Sequence, residues 1–133
     1  MYHLEERSSE IELLIEDVDA ERIFAEALLA LGDVFADAAA APGTPVTHEV
    51  EVRASDLPSL LAEWMRELVY LAEGEGFIAE RIVELDLIQT SIRAKVAGER
   101  SIPRGLIRAV AYDRVEIRQL EDATWAARVV LDT

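Results

Sequence analysis

The feature that most narrows what this chain can fold into is the segment from Leu57 to Glu73, LPSLLAEWMRELVYLAE, which reads as a helix too apolar for an ordinary surface. On a helical projection its polar positions Asp56, Ser59, Glu63, Arg66, Glu67 and Glu73 fall within roughly a third of the circumference. The apolar set Leu57, Leu60, Leu61, Trp64, Met65, Leu68, Val69 and Leu71 covers an arc about twice as wide as one core contact needs. Such a helix packs on two sides, as a middle layer between two sheets or between a sheet and another helix. Asp56 is placed to cap its start and Pro58 sits in its first turn, where a missing N–H costs little. Gly74 and Gly76 mark its end.

Around this helix the pattern alternates and then changes. Residues 10–16 carry Ile11, Leu13, Leu14 and Ile15 and are expected to form a strand. Asp17 and Asp19 offer caps for a helix from Ala20 to Asp37, with Ile23, Phe24, Ala27, Leu28, Leu31, Val34 and Phe35 at helical spacing. A loop follows through Pro42, Gly43 and Pro45. Residues 46–53, VTHEVEVR, alternate with the period of a half-buried strand. After Gly76 only strands are predicted: 77–86, 91–98, 106–119 and 123–132, with turns near 87–90, over 99–105 and at 121–122. A tail of consecutive strands joined by short turns means antiparallel hairpins. The expected class is therefore α+β, a single layered domain over residues 1–133 in the order β-α-β-α-β-β-β-β, helices against sheets.

The composition excludes more chemistry than it offers. There is no cysteine, which removes disulfides, thiolate metal sites and cysteine nucleophiles. No stretch reaches the roughly 18 apolar residues of a membrane span, and the acidic N-terminus is unlike a signal peptide, so a cytoplasmic protein is expected. Acids outnumber bases by 27 to 13, for a net charge of −14, which argues against general nucleic-acid binding. Positive charge gathers only over 93–118, at Arg93, Lys95, Arg100, Arg104, Arg108, Arg114 and Arg118, and these read as solvated strand edges and loops. His3 and His48 are the only neutral-pH bases, and His48 falls on the apolar phase of its strand. No serine stands in a nucleophile-elbow setting.

Carboxylates at the two ends of the chain remain. Glu10 opens the first predicted strand and Asp132 closes the last. If those strands pair antiparallel, the two acids become neighbours. Oxygen ligands of that kind suit calcium, magnesium or manganese rather than zinc, although an acid at a strand end is ordinarily just solvated.

The same end segments carry a family resemblance that runs over nearly the whole chain. Glu6-Arg7-Ser8-Ser9-Glu10-Ile11 stands where the archease family has Glu-His-Thr-Ala-Asp-Ile. Phe24 and Ala27, Leu60-Leu61 with Trp64, Glu67-Leu68, Tyr70-Leu71 and Glu75-Gly76 match the family's two helices. Arg108-Ala109-Val110-Ala111-Tyr112 resembles its Lys-Ala-Val-Thr-Tyr strand, and Val129 to Thr133 resembles its Val-x-x-Asp-Ile/Val close. The resemblance implies the layered fold just described and an accessory protein, not itself a catalyst, that activates an RNA-splicing ligase by promoting its guanylylation and turnover. It also implies a divalent metal, commonly calcium, held by Glu10, Asp132 and the main chain of Thr133, and a protein partner rather than nucleic acid or a membrane.

The departures fall on polar positions. Arg7 replaces the signature histidine, Ser8 and Ser9 its threonine and alanine, and Glu10 its metal aspartate. Glutamate carries the carboxylate about 1 Å or more further out, tolerable for calcium and poor for tight octahedral magnesium. Arg108 replaces a lysine, Ala111 a threonine and Asp113 a histidine, which makes Arg7, Arg108 and Asp113 candidate residues of a changed functional surface. Three readings follow: a ligase activator, a binding module or chaperone-like protein of the same fold without ligase activation, and a metal-dependent hydrolase using Glu10, Glu12, Asp113 or Asp132. The last has no base or nucleophile to support it.

Overall fold

A computed structural model describes residues 1–35, 45–100 and 107–133 of the chain. The central helix, α2, runs Leu57–Glu75 and starts and stops as its sequence demands. Asp56 accepts the Ser59 N–H at 2.8 Å, and Gly76 closes the end in the left-handed conformation, φ 68°, its N–H donating to the Ala72 carbonyl. Gly74 lies inside the last turn.

Two antiparallel sheets enclose the helices. The first joins β1 (Tyr2–Arg7), β2 (Glu10–Asp17) and β8 (Trp125–Asp132), with the short strands β6 (Ala109–Val110) and β7 (Glu116–Gln119) following one another along the far edge of β8. The second has the order β3 (Pro45–Arg53), β5 (Ser91–Arg100), β4 (Phe77–Ile88). Helix α1, Ala20–Phe35, lies between β4 and the β1-β2-β8 side. Helix α2 lies beside it, against β3 and β4 on one flank and β6 and β7 on the other. The wide apolar arc is thus used on both flanks, and Leu60, Leu61, Trp64 and Met65 are fully buried. Trp64 meets Phe24 of α1 edge to face at 6.3 Å, and its indole N–H donates to the Phe24 carbonyl at 2.9 Å.

The α+β class and the order around the two helices are as expected, with three differences in the strands. The first is β1, which sequence periodicity did not announce: only Tyr2 and Leu4 turn inward, and Glu5, Glu6 and Arg7 are all exposed. Pairing holds it in place, from Tyr2 opposite Ile15 to Arg7 opposite Glu10, around the Ser8-Ser9 turn. The second is the run 106–119, which is not one strand. Val110 and Val115 are both buried at a spacing that alternation cannot serve, and a 3-10 turn, Tyr112–Arg114, takes up the mismatch. The third is extent. Strand β4 continues to Ile88 and β5 to Arg100, so Glu99 and Arg100 are strand rather than loop, and β8 begins only at Trp125. The expected helix end at Asp37, the loop over 38–44, Arg104 and Leu106 lie outside the described residues.

Candidate functional site

The strand register settles the neighbourhood of the two terminal acids. Strands β2 and β8 are antiparallel with Glu10 directly opposite Asp132, so their side chains leave the same face of the sheet at its open end. The chain ends are tied there by main-chain bonds. Thr133 N–H donates to the Ser9 carbonyl at 3.0 Å, and Arg108 N–H donates to the Asp132 carbonyl at 2.7 Å. Ser9 itself holds φ 71°, the left-handed conformation that reverses the chain between β1 and β2. Ser9, Arg108, Ala109, Asp132 and Thr133 line an open hollow of about 410 Å³.

Two carboxylates side by side on one face repel each other unless a cation stands by. Here the cation is Arg114, a residue that sequence reasoning had counted only among the solvated arginines. Its Nη1 donates to Glu10 Oε2 at 2.8 Å. The Glu10 hydrogen bond and charge, and after them Asp113 and Asp132, push the Arg114 pKa further up. The turn that carries Arg114 is anchored. Its N–H bonds the Ala111 carbonyl at 3.0 Å, Val115 behind it is buried, and the Tyr112 hydroxyl donates to Glu63 of α2 at 2.8 Å. Burial, then the Glu63 hydrogen bond, push the Tyr112 phenol up, which keeps it a donor.

Glu12, two residues along β2, extends the arrangement. It is the only buried charged residue among those described, and it accepts from Arg128 Nε at 2.7 Å and from Arg7 Nη2 at 3.5 Å. The Arg128 hydrogen bond outweighs the opposing effect of burial and holds the Glu12 carboxyl below the ordinary glutamate range, helped by the charges of Arg7 and Arg114. Arg7 faces Glu10 across the hairpin but sends its guanidinium to Glu5 and Glu12. Asp113 is exposed in the 3-10 turn and bears on the corner through its charge on Arg114.

Of the predicted site residues, Glu10, Asp132, Thr133 and Arg108 come together at this corner, with Arg7 and Asp113 at its margins. As a site for a divalent cation the corner falls short as its side chains stand. Calcium takes about six to eight oxygen ligands, commonly from several carboxylates. Glu10 is already engaged by Arg114, while the main-chain oxygens of Ser9 and Asp132 each accept one N–H bond and keep a second lone pair. Among the described residues no group of three or more His, Cys, Asp or Glu gathers to hold a metal. His48 takes no part in the corner's chemistry: it packs against Phe77, the rings tilted by 42° with centroids 4.4 Å apart.

Comparison with known proteins agrees with the fold. The profile of the Archease protein family matches residues 2–133. The chain is 31% identical to protein archease of Methanosarcina acetivorans over 98% of its own length and 94% of the relative's. It is 34% identical to protein archease of Methanosarcina barkeri over 84% of the chain and 82% of that protein. Among solved structures it is similar to a crystal structure from Thermotoga maritima, described as an archease and possible chaperone, with a TM-score of 0.70 at 15% identity over 100% of this chain and 98% of that one. It is also similar to the solution structure of a Methanobacterium thermoautotrophicum protein, with a TM-score of 0.69 at 22% identity over 99% of this chain and 98% of that one. No helix among the described residues is long and apolar enough to cross a membrane.

Proposed function

The chain belongs to the archease family, and from that premise we propose that it is a cytoplasmic accessory protein of an RNA-splicing ligase, promoting that enzyme's guanylylation and turnover and performing no catalysis of its own. One observation carries the reading. The polar residues that the resemblance singles out at opposite ends of the chain, Glu10 and Asp132, stand on one rung at an open corner with Arg108 and Arg114 beside them. Such a corner suits a protein partner, because its charges are exposed enough to be met and fixed well enough to be recognised. The net charge of −14 supports contact with the ligase rather than with its RNA. A catalytic role for the chain itself lacks support among the described residues: the partly buried His48 of β3 packs against Phe77, and Glu12 is paired with arginines.

The test is the guanylylation rate and multiple-turnover RNA sealing of the ligase from the same organism, with and without this protein and its Asp132→Ala variant. Stimulation by the wild type and its loss in the variant are expected. A folded protein that leaves both rates unchanged overturns the reading. That result would favour a second one, a chaperone-like binding module of the same fold acting on another protein. Support for it comes from the Thermotoga relative's description as a possible chaperone and from the replacements at Arg7, Ala111 and Asp113.

A further inference from the structure

We propose that Arg114 is the resident cation of the Glu10–Asp132 corner, a guanidinium built into the chain where two facing carboxylates require positive charge, so that calcium enters only when Arg114 is removed. The inference concerns the same corner as the activator reading, but its test involves no ligase, so either can fail without the other.

Three observations carry it. First, the β2–β8 register forces Glu10 and Asp132 into direct opposition, so the need for a cation is written into the backbone. Second, Arg114 meets that need with a charge-assisted hydrogen bond of 2.8 Å, from a turn tied to α2 through Tyr112 and Glu63. A side chain held by a packed turn gives up less freedom in making such a bond than one on a free loop. Third, positive charge already stands at the corner without an added ion. Arg114 is paired with Glu10, and Arg108 lines the hollow beside Asp132. A divalent ion arriving there would meet an arginine already bound to one of its two carboxylates. It would have to displace that arginine and then share the site with a freed positive charge.

Calcium titration followed by heat and by melting temperature decides the matter, on the wild type and on Arg114→Ala, Arg114→Gln and Asp132→Ala. The wild type is expected to show no saturable binding below about 1 mM calcium, the weak end of biological calcium sites. Both Arg114 variants are expected to gain saturable binding, about tenfold or more tighter than any seen in the wild type. Adding Asp132→Ala to either is expected to abolish the gain. Tight calcium binding by the wild type that disappears in Asp132→Ala would overturn the inference, and so would Arg114 variants that fold and gain nothing. If neither Arg114 variant melts cooperatively, the wild-type titration alone decides. Binding sensitive to Asp132→Ala refutes the resident guanidinium, and its absence upholds it.

Discussion

Glu12 shows how a charged residue comes to be buried on the outward face of a sheet. Its Cα partner Val130 is fully buried as well, outside the main core cluster, and the charges of Arg128, Arg7 and Arg114 gather about Glu12. The guanidinium groups of Arg128 and Arg7 supply the counter-charge. Because the folded state lowers the Glu12 pKa, Glu12 stabilises the fold above the ordinary glutamate value of about 4.3, and that contribution is lost as pH falls through the folded value. Glu12→Gln should therefore melt at a lower temperature than the wild type near neutral pH, with the gap closing as the solution is acidified below about pH 4. Thermal melts across that range are the check, and a gap independent of pH would contradict the assignment. The sequence made Glu10 and Asp132 neighbours on the condition that the first and last predicted strands pair antiparallel, and the β2–β8 register meets that condition. The sequence did not reveal Arg114 as their partner, since a three-residue turn hidden in an apolar run has no periodicity of its own.

Among the elements, β4 and β5 come close together where β4 departs from regular pairing. Strand β4 shifts register between Ala79 and Arg81 and again between Ile82 and Glu84, and Gly98 of β5 lies opposite Ala79 at the first of these bulges. A methyl group on Gly98 would stand 1.9 Å from the Ile78 carbonyl oxygen, a backbone atom that cannot swing aside. Gly98→Ala should cost about 1–3 kcal/mol through forced separation of the two strands, read as a lower denaturant midpoint. An unchanged midpoint would mean that the bulge absorbs the methyl group. The bulges also serve the sheet's edge, since β4 is a long outer strand and irregular pairing with exposed Glu80 and Arg81 makes it a poor template for another chain. Both helices were legible from their apolar spacing and caps, because helical period and capping residues are local properties of the chain. Strand β1 was not legible, because its stability comes from six paired residues of β2 rather than from its own pattern.

For the whole molecule, the width of the α2 apolar arc has a cooperative consequence. The inward face of the first sheet, Leu13, Ile15, Val129 and Leu131, and that of the second, Val50, Ile92, Ala94 and Val96, join one core with the two helices that lie between them. Neither sheet has a second layer of its own, so losing one exposes a helix flank on which the other depends. The two tryptophans report on this from different depths. Trp64 is fully buried where the helices meet, and Trp125 is half-buried at the start of β8, packed against the edge of the core. If the layers share one core energetically as well as spatially, unfolding is all-or-none despite the two separate sheets. Trp64 fluorescence in Trp125→Phe and Trp125 fluorescence in Trp64→Phe should each then follow the far-UV signal of the same variant through a single denaturant transition. Trp64→Phe removes the buried indole and its bond to the Phe24 carbonyl, so its midpoint should fall while probe and backbone remain coincident. A Trp125 transition that runs ahead of the backbone signal would show the first sheet peeling away from the helices, and would locate the weak layer of the fold at the strands that carry the Glu10–Asp132 corner.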